Sequence, residues 1–250
     1  MKALITGASS GIGRDMARVL AEMEVDLILV ARRGDRLREL QAELPCSVQI
    51  IVADISDETV CKAIYERVKG EDINILINNA GLGDFGNFDE TSLEKDLKIL
   101  DTNIRAVHIL TKLFLKDFVK RDSGYILNVA SSAAFLPGPL MATYYASKSY
   151  VLRLTQSIHK ELAKRHSHVH VSALCPGPVQ TEFDKVANVK FMMKGKTSEQ
   201  VAKDAIYAMF RKELMIIPGF LMKASYILTR FMPQEVLMEC SYHIQHRKNR

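Results

Sequence analysis

The sequence predicts an α/β protein built on one doubly wound, mainly parallel sheet of about seven strands. Over the first 175 residues, short apolar runs alternate with helical patterns, which is typical of parallel strands joined by crossover helices. Several runs are apolar throughout, such as Leu-Ile-Leu-Val at 27–30, as strands covered on both faces require. The 250 residues fit one large α/β domain, and no linker or repeat divides them. We therefore expect a single domain over residues 1–250.

The elements follow from local patterns along the chain. The predicted strands are short runs of apolar residues at 2–6, 26–31, 47–52, 73–78, 124–129, 169–175 and 215–217. The predicted helices lie at 12–23, 34–44, 57–69, 92–121 and 144–165. In the fourth helix Ile104, Val107, Leu110 and Phe114 recur every three or four residues and form an apolar stripe. The last strand ends at a Pro-Gly pair, which favours a turn.

Composition excludes several classes of protein. Hydrophobic residues make up 48% and charged residues 25% of the chain, which is typical of a soluble globular protein and not of a disordered one. No secretory leader is evident, and Lys223 and Arg230 interrupt the most apolar stretch, so we expect no stable membrane insertion.

The four cysteines form no CxxC pair and no metal-ligand spacing. We expect reduced thiols and a cytoplasmic location.

The net charge of +5 is concentrated near the end of the chain. Residues 191–250 contain ten of the 34 Lys and Arg but only five of the 29 Asp and Glu, together with seven of the eleven Met. This basic excess is too dilute for nucleic-acid binding, so we expect no nucleic-acid partner. The composition sets this C-terminal segment apart from the rest of the chain.

The first predicted strand runs directly into a glycine-rich turn that opens a helix. Glycines at such a turn let the backbone approach a pyrophosphate, and the helix N-terminus supplies free N–H groups and a positive dipole. The context of strand, turn and helix at the start of a βαβ series makes this pattern informative. The candidate dinucleotide-binding residues here are Gly7, Ser9, Ser10, Gly11, Ile12 and Gly13.

A tyrosine and a lysine are spaced for acid–base chemistry. Tyr144 and Lys148 are four residues apart, so they share one face of the predicted helix. An ammonium group beside a phenol favours the phenolate, and we expect it to lower the tyrosine pKa from about 10. Such a tyrosine can protonate a carbonyl oxygen while hydride reaches the carbonyl carbon. A nearby serine hydroxyl can hold that oxygen.

Six motifs in order resemble the short-chain dehydrogenase/reductase family. They are TGxxxGxG at 6–13, Asn-Asn-Ala-Gly at 78–81, Asn103, Ser131, the YxxxK of Tyr144 and Lys148, and Pro-Gly at 176–177. The resemblance covers about residues 1–185, and it implies a substrate lid and C-terminal segment over 188–250, with the lid centred on the Met-rich stretch at 191–196. It implies a Rossmann-like fold and an oxidoreductase, and members commonly form homodimers or homotetramers.

The resemblance also implies roles for the matching residues. Tyr144 would be the catalytic acid/base, Ser131 would hold the substrate oxygen, Lys148 would also bind the nicotinamide ribose, and Asn103 would hold a water in a proton relay. The further implied cofactor contacts are Asp54 at the adenine, Asn79, Ala80, Gly81, Pro176 and Gly177, with Val179 and Thr181 at the nicotinamide amide.

Two positions have neighbours of the same type. Tyr145 adjoins Tyr144, but adjacent helix residues point about 100° apart, and only Tyr144 is four residues before Lys148. Ser132 adjoins Ser131; the family's usual spacing to the tyrosine selects Ser131, and Ser132 is the alternative.

The residues after the second strand indicate the cofactor. An acidic residue there binds the ribose 2′-OH of NAD, whereas arginine suits the 2′-phosphate of NADP. This strand ends in Arg32 and Arg33, with no carboxylate before Asp35, and Arg14 adds charge at the first helix. We therefore expect NADP(H).

The sequence thus predicts an NADP(H)-dependent enzyme that interconverts a carbonyl and an alcohol. The substrate is expected to be apolar: a 3-oxoacyl thioester, a hydroxysteroid, or a small ketone or aldehyde. The alternatives are a non-catalytic NADP-binding redox regulator and a peripheral membrane-associated protein. No metal is expected, because the alternating histidines at 166–170 lie at the amino end of a strand, opposite the end where such sheets bind ligands. The C-terminal tail from His243 is interpreted as a solvated terminus.

Overall fold

The computed structural model describes residues 1–187 and 195–246, and it confirms the predicted α/β class. The strands are β1 Lys2–Thr6, β2 Asp26–Ala31, β3 Val48–Val52, β4 Ile75–Asn78, β5 Tyr125–Val129, β6 His170–Leu174, β7 Val179–Gln180, β8 Lys196–Thr197 and β9 Met215–Ile216. The helices are α1 Gly11–Glu22, α2 Gly34–Glu43, α3 Glu58–Val68, α4 Leu93–Leu100, α5 Val107–Lys120, α6 Ala142–Lys164, α7 Phe183–Val186, α8 Ser198–Phe210, α9 Phe220–Thr229 and α10 Gln234–His246.

Seven strands form one parallel sheet in the order β3-β2-β1-β4-β5-β6-β9. The chain moves outward from β1 to β3, then returns to place β4 on the other side of β1. In such sheets the carboxyl ends of the strands on either side of this reversal enclose a crevice that binds ligands. The β1–α1 turn and the residues after β4 meet there. β7 and β8 pair separately beside the sheet.

Helices cover both faces of the sheet, which explains why its strands are continuously apolar. On one face α1 packs against α8, where Leu20 and Met209 are fully buried with Leu29 of β2. On the other face α3 and α5 cover the sheet, and Phe118 is buried with Ile126 of β5. The core therefore lies in two layers, and the crevice lies at one end of both.

The helix predicted at 92–121 is interrupted by a π-helical segment. α4 ends at Leu100, a wider turn runs over Asp101–Ala106, and α5 begins at Val107. The apolar stripe alone did not predict this interruption. π-helical turns occur frequently at functional sites, and this one contains Asn103.

The C-terminal quarter contains more helix than the sequence predicts. α8, α9 and α10 follow one another after β8, although no helix was predicted there. The centre of the predicted lid, at 191–194, and the last four residues lie outside the described ranges. Within the part of the chain that the structure describes, no helix is both long and apolar enough to cross a membrane.

Candidate active site

The β1–α1 turn has the backbone shape that phosphate binding requires. Gly7 and Gly11 have φ values of +66° and +55°, a left-handed conformation that strongly favours glycine. A Cβ at Gly13 would collide with the side chain of Asn79. The turn therefore combines unusual dihedral angles with a close contact, and it opens onto the N-terminus of α1.

Asn79 joins this turn to the end of β4. Its side-chain Nδ2 donates to the carbonyl oxygens of Thr6 at 2.9 Å and Gly7 at 3.1 Å. The Thr6 hydroxyl oxygen in turn accepts from the backbone N–H groups of Asn79 at 3.0 Å and Ala80 at 3.2 Å. These bonds fix the two loops on either side of the crevice. The geometry makes Asn79 a positioning residue for the glycine turn.

Tyr144, in the first turn of α6, faces the cavity beside Ser131. Its ring packs against Phe183, with centroids 5.2 Å apart. Burial raises the pKa of Tyr144 to about 12, and the nearby Ser131 side chain only partly opposes that shift. The phenol is thus protonated throughout the neutral range, as a proton donor must be.

Lys148 lies below Tyr144 on the same face of α6, but it does not act on the phenol as the sequence suggested. Its ammonium donates to the carbonyl oxygen of Val129 at 2.9 Å and lies 5.8 Å from the centroid of the Tyr144 ring. Burial lowers the pKa of Lys148 to about 8. The expectation that Lys148 lowers the tyrosine pKa is wrong for this arrangement, because desolvation of both groups outweighs their mutual attraction.

Asn103 is fully buried in the π-helical segment and holds the loop after β4. Its Nδ2 donates to the Leu82 carbonyl at 2.9 Å and to Ser147 Oγ at 3.0 Å, and its Oδ1 accepts from the Leu82 N–H at 2.8 Å. A Cβ at Gly81 would lie 3.2 Å from the Lys148 ammonium and 3.5 Å from Asn103 Oδ1. The tertiary fold thus brings Asn103 and Lys148 close to the same side of one glycine.

The structure distinguishes the paired tyrosines and serines. The Tyr145 hydroxyl is hydrogen-bonded to Gln245 of α10, away from Ser131. Ser131 precedes a short 3₁₀ turn and its side chain interacts with Tyr144, whereas the Ser132 backbone N–H donates to the Pro176 carbonyl at 2.8 Å. Of these four residues, Tyr144 and Ser131 are the pair whose side chains interact at the cavity wall.

The two arginines after β2 have different surroundings. Arg33 donates to Ser10 Oγ at 2.7 Å and to Ser9 Oγ at 3.2 Å, so its guanidinium lies over the glycine turn. Arg32 Nη1 lies 3.7 Å from Asp54 Oδ2, and about half of the Arg32 side chain is exposed (53%). Arg33 is thus the better placed of the two for an anion bound at the turn.

Sequence reasoning missed the acidic partner of these arginines. The Glu182 carboxylate accepts from Arg33 at 2.8 Å and from Arg36 at 2.5 Å. The hydrogen bonds from Arg36 and Arg33 lower the pKa of Glu182 to about 2. No motif marks this residue, because the pairing spans almost 150 positions of sequence. The sequence suggests that Arg14 adds positive charge at the cofactor site. In the structure its Nε lies 3.2 Å from Asp15 Oδ1 and forms an ion pair with that carboxylate.

Most of the predicted site residues border one large cavity, but Gly13 and Asn103 do not form part of its wall. Its volume is about 790 Å³, and its wall includes the predicted residues that are not otherwise described above: Ile12, Ala80, Pro176, Gly177, Val179 and Thr181. Thr102, beside Asn103, also lines it; among the described residues its buried hydroxyl oxygen has no hydrogen-bond partner. An unsatisfied buried hydroxyl on a cavity wall is suited to a polar ligand.

The C-terminal helices form the roof of this cavity. Met222 and Leu228 of α9 and Leu237 and Ile244 of α10 line it. Gln245 is buried as well, at 1% exposure. The interpretation of the tail as a solvated terminus is therefore wrong for this face of α10. Its last described turn packs over Tyr145 because the helix covers the apolar cavity.

The clustered histidines have ordinary structural contacts. His168 Nδ1 lies 2.6 Å from the Asp122 carboxylate, and His170 is buried against the ring of His159. Within residues 1–187 and 195–246, no three potential ligands converge on a metal position.

Comparison with known proteins links this site to one group of enzymes. The family model for short chain dehydrogenase matches residues 1–190. Mouse 17-beta-hydroxysteroid dehydrogenase type 3 is 32% identical over 211 residues, and human very-long-chain 3-oxoacyl-CoA reductase is 31% identical over 192 residues. These matches cover 82% and 74% of this chain but only 67% and 61% of those proteins.

Two solved structures show the same architecture over nearly the whole chain. A short-chain dehydrogenase from Sphingobium yanoikuyae in complex with NADPH is 30% identical, with a TM-score of 0.81 over 93% of this chain and 96% of that one. A short chain dehydrogenase/reductase from Burkholderia phymatum in complex with NAD is 25% identical, with a TM-score of 0.82 over 91% and 92%. The first of these structures contains NADPH and the second contains NAD.

Proposed function

Because the chain belongs to the short-chain dehydrogenase/reductase family of oxidoreductases, we propose that it interconverts a carbonyl and an alcohol with NADP(H), using Tyr144 as the acid/base. The observation that carries the proposal is that Tyr144, with Ser131 beside it, lies on the wall of the cavity that also contains the glycine turn. A proton donor and a cradle for a dinucleotide thus share one enclosed space. NADP(H) would supply or accept the hydride there.

The residues present fit this cofactor. Gly7 and Gly11 give the turn before α1 its left-handed backbone conformation. Free N–H groups and the positive end of the helix dipole favour phosphate at such a helix N-terminus. Arg33 lies over the same turn with its planar guanidinium, which suits a 2′-phosphate. Asp54 and Thr102 are the candidate polar contacts further along the wall.

In reduction, Tyr144 donates its proton to the carbonyl oxygen as that oxygen gains charge. Ser131, beside the tyrosine hydroxyl, holds the same oxygen and stabilises the developing charge. Lys148 binds the ribose and places a positive charge near the site, and Asn103 maintains the loop against which Lys148 lies. Oxidation of the alcohol reverses the proton transfer.

The cavity wall supports an apolar substrate. It includes the apolar side chains of Phe135, Met141, Phe183, Met222 and Leu237, of which Phe183 packs on the Tyr144 ring. The names of two relatives, a hydroxysteroid dehydrogenase and a 3-oxoacyl-CoA reductase, support bulky apolar carbonyl compounds over small ones. The proposal is tested by following NADPH absorbance with a panel of long-chain 3-oxoacyl thioesters, ketosteroids and small ketones. NADPH binding without turnover of any of them would favour the alternative, a non-catalytic redox regulator.

We also propose a homodimer or homotetramer that works in the cytoplasm. On α4, Leu93, Leu97 and Leu100 are exposed and lie on one face, as a helix-to-helix contact between copies requires. All four cysteines are free, which supports a reducing compartment. Analytical ultracentrifugation of wild type and Leu97→Glu tests the assembly.

Removing the arginines is expected to discriminate between the cofactors. Arg33→Ala should weaken NADP(H) binding by at least about tenfold, because a charged hydrogen bond is lost. Arg32→Ala should weaken it less, since Arg32 is more exposed and pairs with Asp54. Titration of each variant with NADPH and NADH provides the measurement. Equal loss for both cofactors would mean that the arginines act structurally.

Neutralising Glu182 is expected to have the opposite effect. Its carboxylate occupies Arg33 and Arg36, so it competes with a 2′-phosphate for the same guanidinium groups. Glu182→Gln should tighten NADP(H) binding severalfold and leave NAD(H) binding unchanged. The matched control is Glu66→Gln, an exposed carboxylate on α3. Weaker NADPH binding in Glu182→Gln would show that Glu182 orients the arginines instead of competing for them.

A further inference from the structure

α9 has an exposed apolar face that borders the cavity at one edge. Phe220 and Phe231 are 87% and 82% exposed, and Leu221, Ile227 and Leu228 are exposed with them. At about 100° per residue, the helix places Phe220, Leu221, Ile227 and Leu228 within an arc of about 120°, and Phe231 follows two residues after its end. The opposite face, with Met222, lines the cavity. Exposed apolar patches of this kind mark surfaces that bind a partner protein or a membrane.

The charges beside this face indicate the chemistry of that occupant. Lys223 and Arg230 lie seven residues apart along one edge of the apolar arc. Between Glu213 and Glu235 the sequence contains no acidic residue. Among the described residues, neither Lys223 nor Arg230 is within ion-pair distance of a carboxylate. An apolar face with a basic edge is typical of helices that lie in the interface of an anionic membrane.

The cavity and this face share Leu228, which lines the cavity and is 59% exposed. Ile244 of α10 also lines the cavity and is 60% exposed, so the cavity wall continues to the surface between α9 and α10. α9 has ten residues, too few to span a bilayer, but enough to lie parallel to one.

We propose that the α9 face, defined by Phe220, Leu221, Ile227, Leu228 and Phe231, docks on the surface of a membrane containing anionic phospholipid. A second copy of the chain fits less well. A two-fold contact through this face would bring together basic edges with no carboxylate between 214 and 234 to compensate them. A leaflet supplies both the apolar interior and the negative head groups. If the proposed function holds, an apolar substrate can reach the cavity from the lipid.

Vesicle sedimentation tests the docking without cofactor or substrate. We expect the full chain to sediment with vesicles of phosphatidylcholine and phosphatidylglycerol, and less with phosphatidylcholine alone. Phe220→Ser with Phe231→Ser should lower the partition coefficient at least about tenfold, because two aromatic anchors are lost. Lys223→Gln with Arg230→Gln should lower binding to the anionic vesicles about fivefold per charge, and high salt should act similarly on wild type.

A matched control removes two exposed aromatic side chains elsewhere. Phe88→Ser with Tyr207→Ser should bind vesicles as wild type does. Thermal unfolding checks that every variant is folded. Failure of wild type to bind anionic vesicles, or equal loss in the control, would overturn the proposal. A dimer in sedimentation velocity that Phe220→Ser with Phe231→Ser dissociates would assign the face to a second copy. Because no turnover is measured, failure of docking is distinguishable from failure of the proposed chemistry.

Discussion

Tyr144→Phe is expected to lower kcat at least about a hundredfold, because it removes the proton donor and keeps the ring. NADP(H) binding should be nearly unchanged, since the Phe183 contact and the cavity wall remain. Steady-state kinetics with the best carbonyl substrate and titration with NADPH measure the two effects separately.

The neighbouring tyrosine provides the control for this prediction. Tyr145→Phe removes a hydroxyl bonded to Gln245, not to Ser131, so activity should stay within a few fold of wild type. Because the pKa of Tyr144 is about 12, the reduction rate should show no loss from tyrosine ionisation up to about pH 10. Oxidation requires the phenolate and should rise with pH. An inactive Tyr145→Phe beside an active Tyr144→Phe would contradict the assignment.

Lys148→Met is expected to lower kcat/KM at least about a thousandfold. The change removes a positive charge near the reacting oxygen and the donor proposed for the ribose, so chemistry and cofactor binding both suffer. Burial holds the pKa of Lys148 near 8, so wild-type NADPH affinity should fall as pH rises through about 8. The variant should lack this pH dependence. Fluorescence titration with NADPH across that range provides the measurement.

Stability should respond differently from activity. The pKa of Lys148 in the fold, about 8, lies below its ordinary value of 10.5, so the unfolded chain binds this proton more tightly. The buried ammonium therefore destabilises the fold below about pH 8, and this destabilisation disappears as pH rises toward 10.5. Replacing it by Met should not lower the melting temperature at pH 7.

Lys160→Met on the exposed side of α6 is the control for Lys148, and it should leave both activity and cofactor affinity unchanged. A large loss of stability in Lys148→Met at pH 7 would mean that the Val129 hydrogen bond is structural and that the loss of activity is indirect. An active variant would remove Lys148 from the proposed mechanism.

The sheet was predictable because its pattern is local. Strands covered on both faces are apolar throughout, so β1, β2 and β6 were predicted to within a residue or so at each end. The strand reversal beside β1 is typical of the fold class, and it brings the glycine turn and Asn79 together. The four-residue spacing placed Tyr144 and Lys148 on one face of α6 before any coordinates were considered.

Protonation depends on tertiary structure. The i, i+4 spacing suggested a phenol activated by lysine, yet the phenol has a raised pKa and the lysine a lowered one. The spacing predicts the direction in which the two side chains point. It does not predict how strongly burial desolvates them, because their burial depends on the cavity wall formed by β5, α7 and the C-terminal helices. The same holds for the π-helical turn at Asn103, which is accompanied by bonds to Leu82 and Ser147.

The sequence by itself determined the fold class, because its apolar runs are local, and the family, because its motifs stand in a fixed order along the chain. Only the tertiary structure decided that Glu182 pairs with Arg33, that Gln245 bonds to Tyr145, and that α9 and α10 roof the cavity. These contacts join positions about 100 or more residues apart, and no local periodicity specifies which distant polar groups will meet. They form because the folded sheet holds those segments within reach, where pairing offsets the loss of water around each polar group.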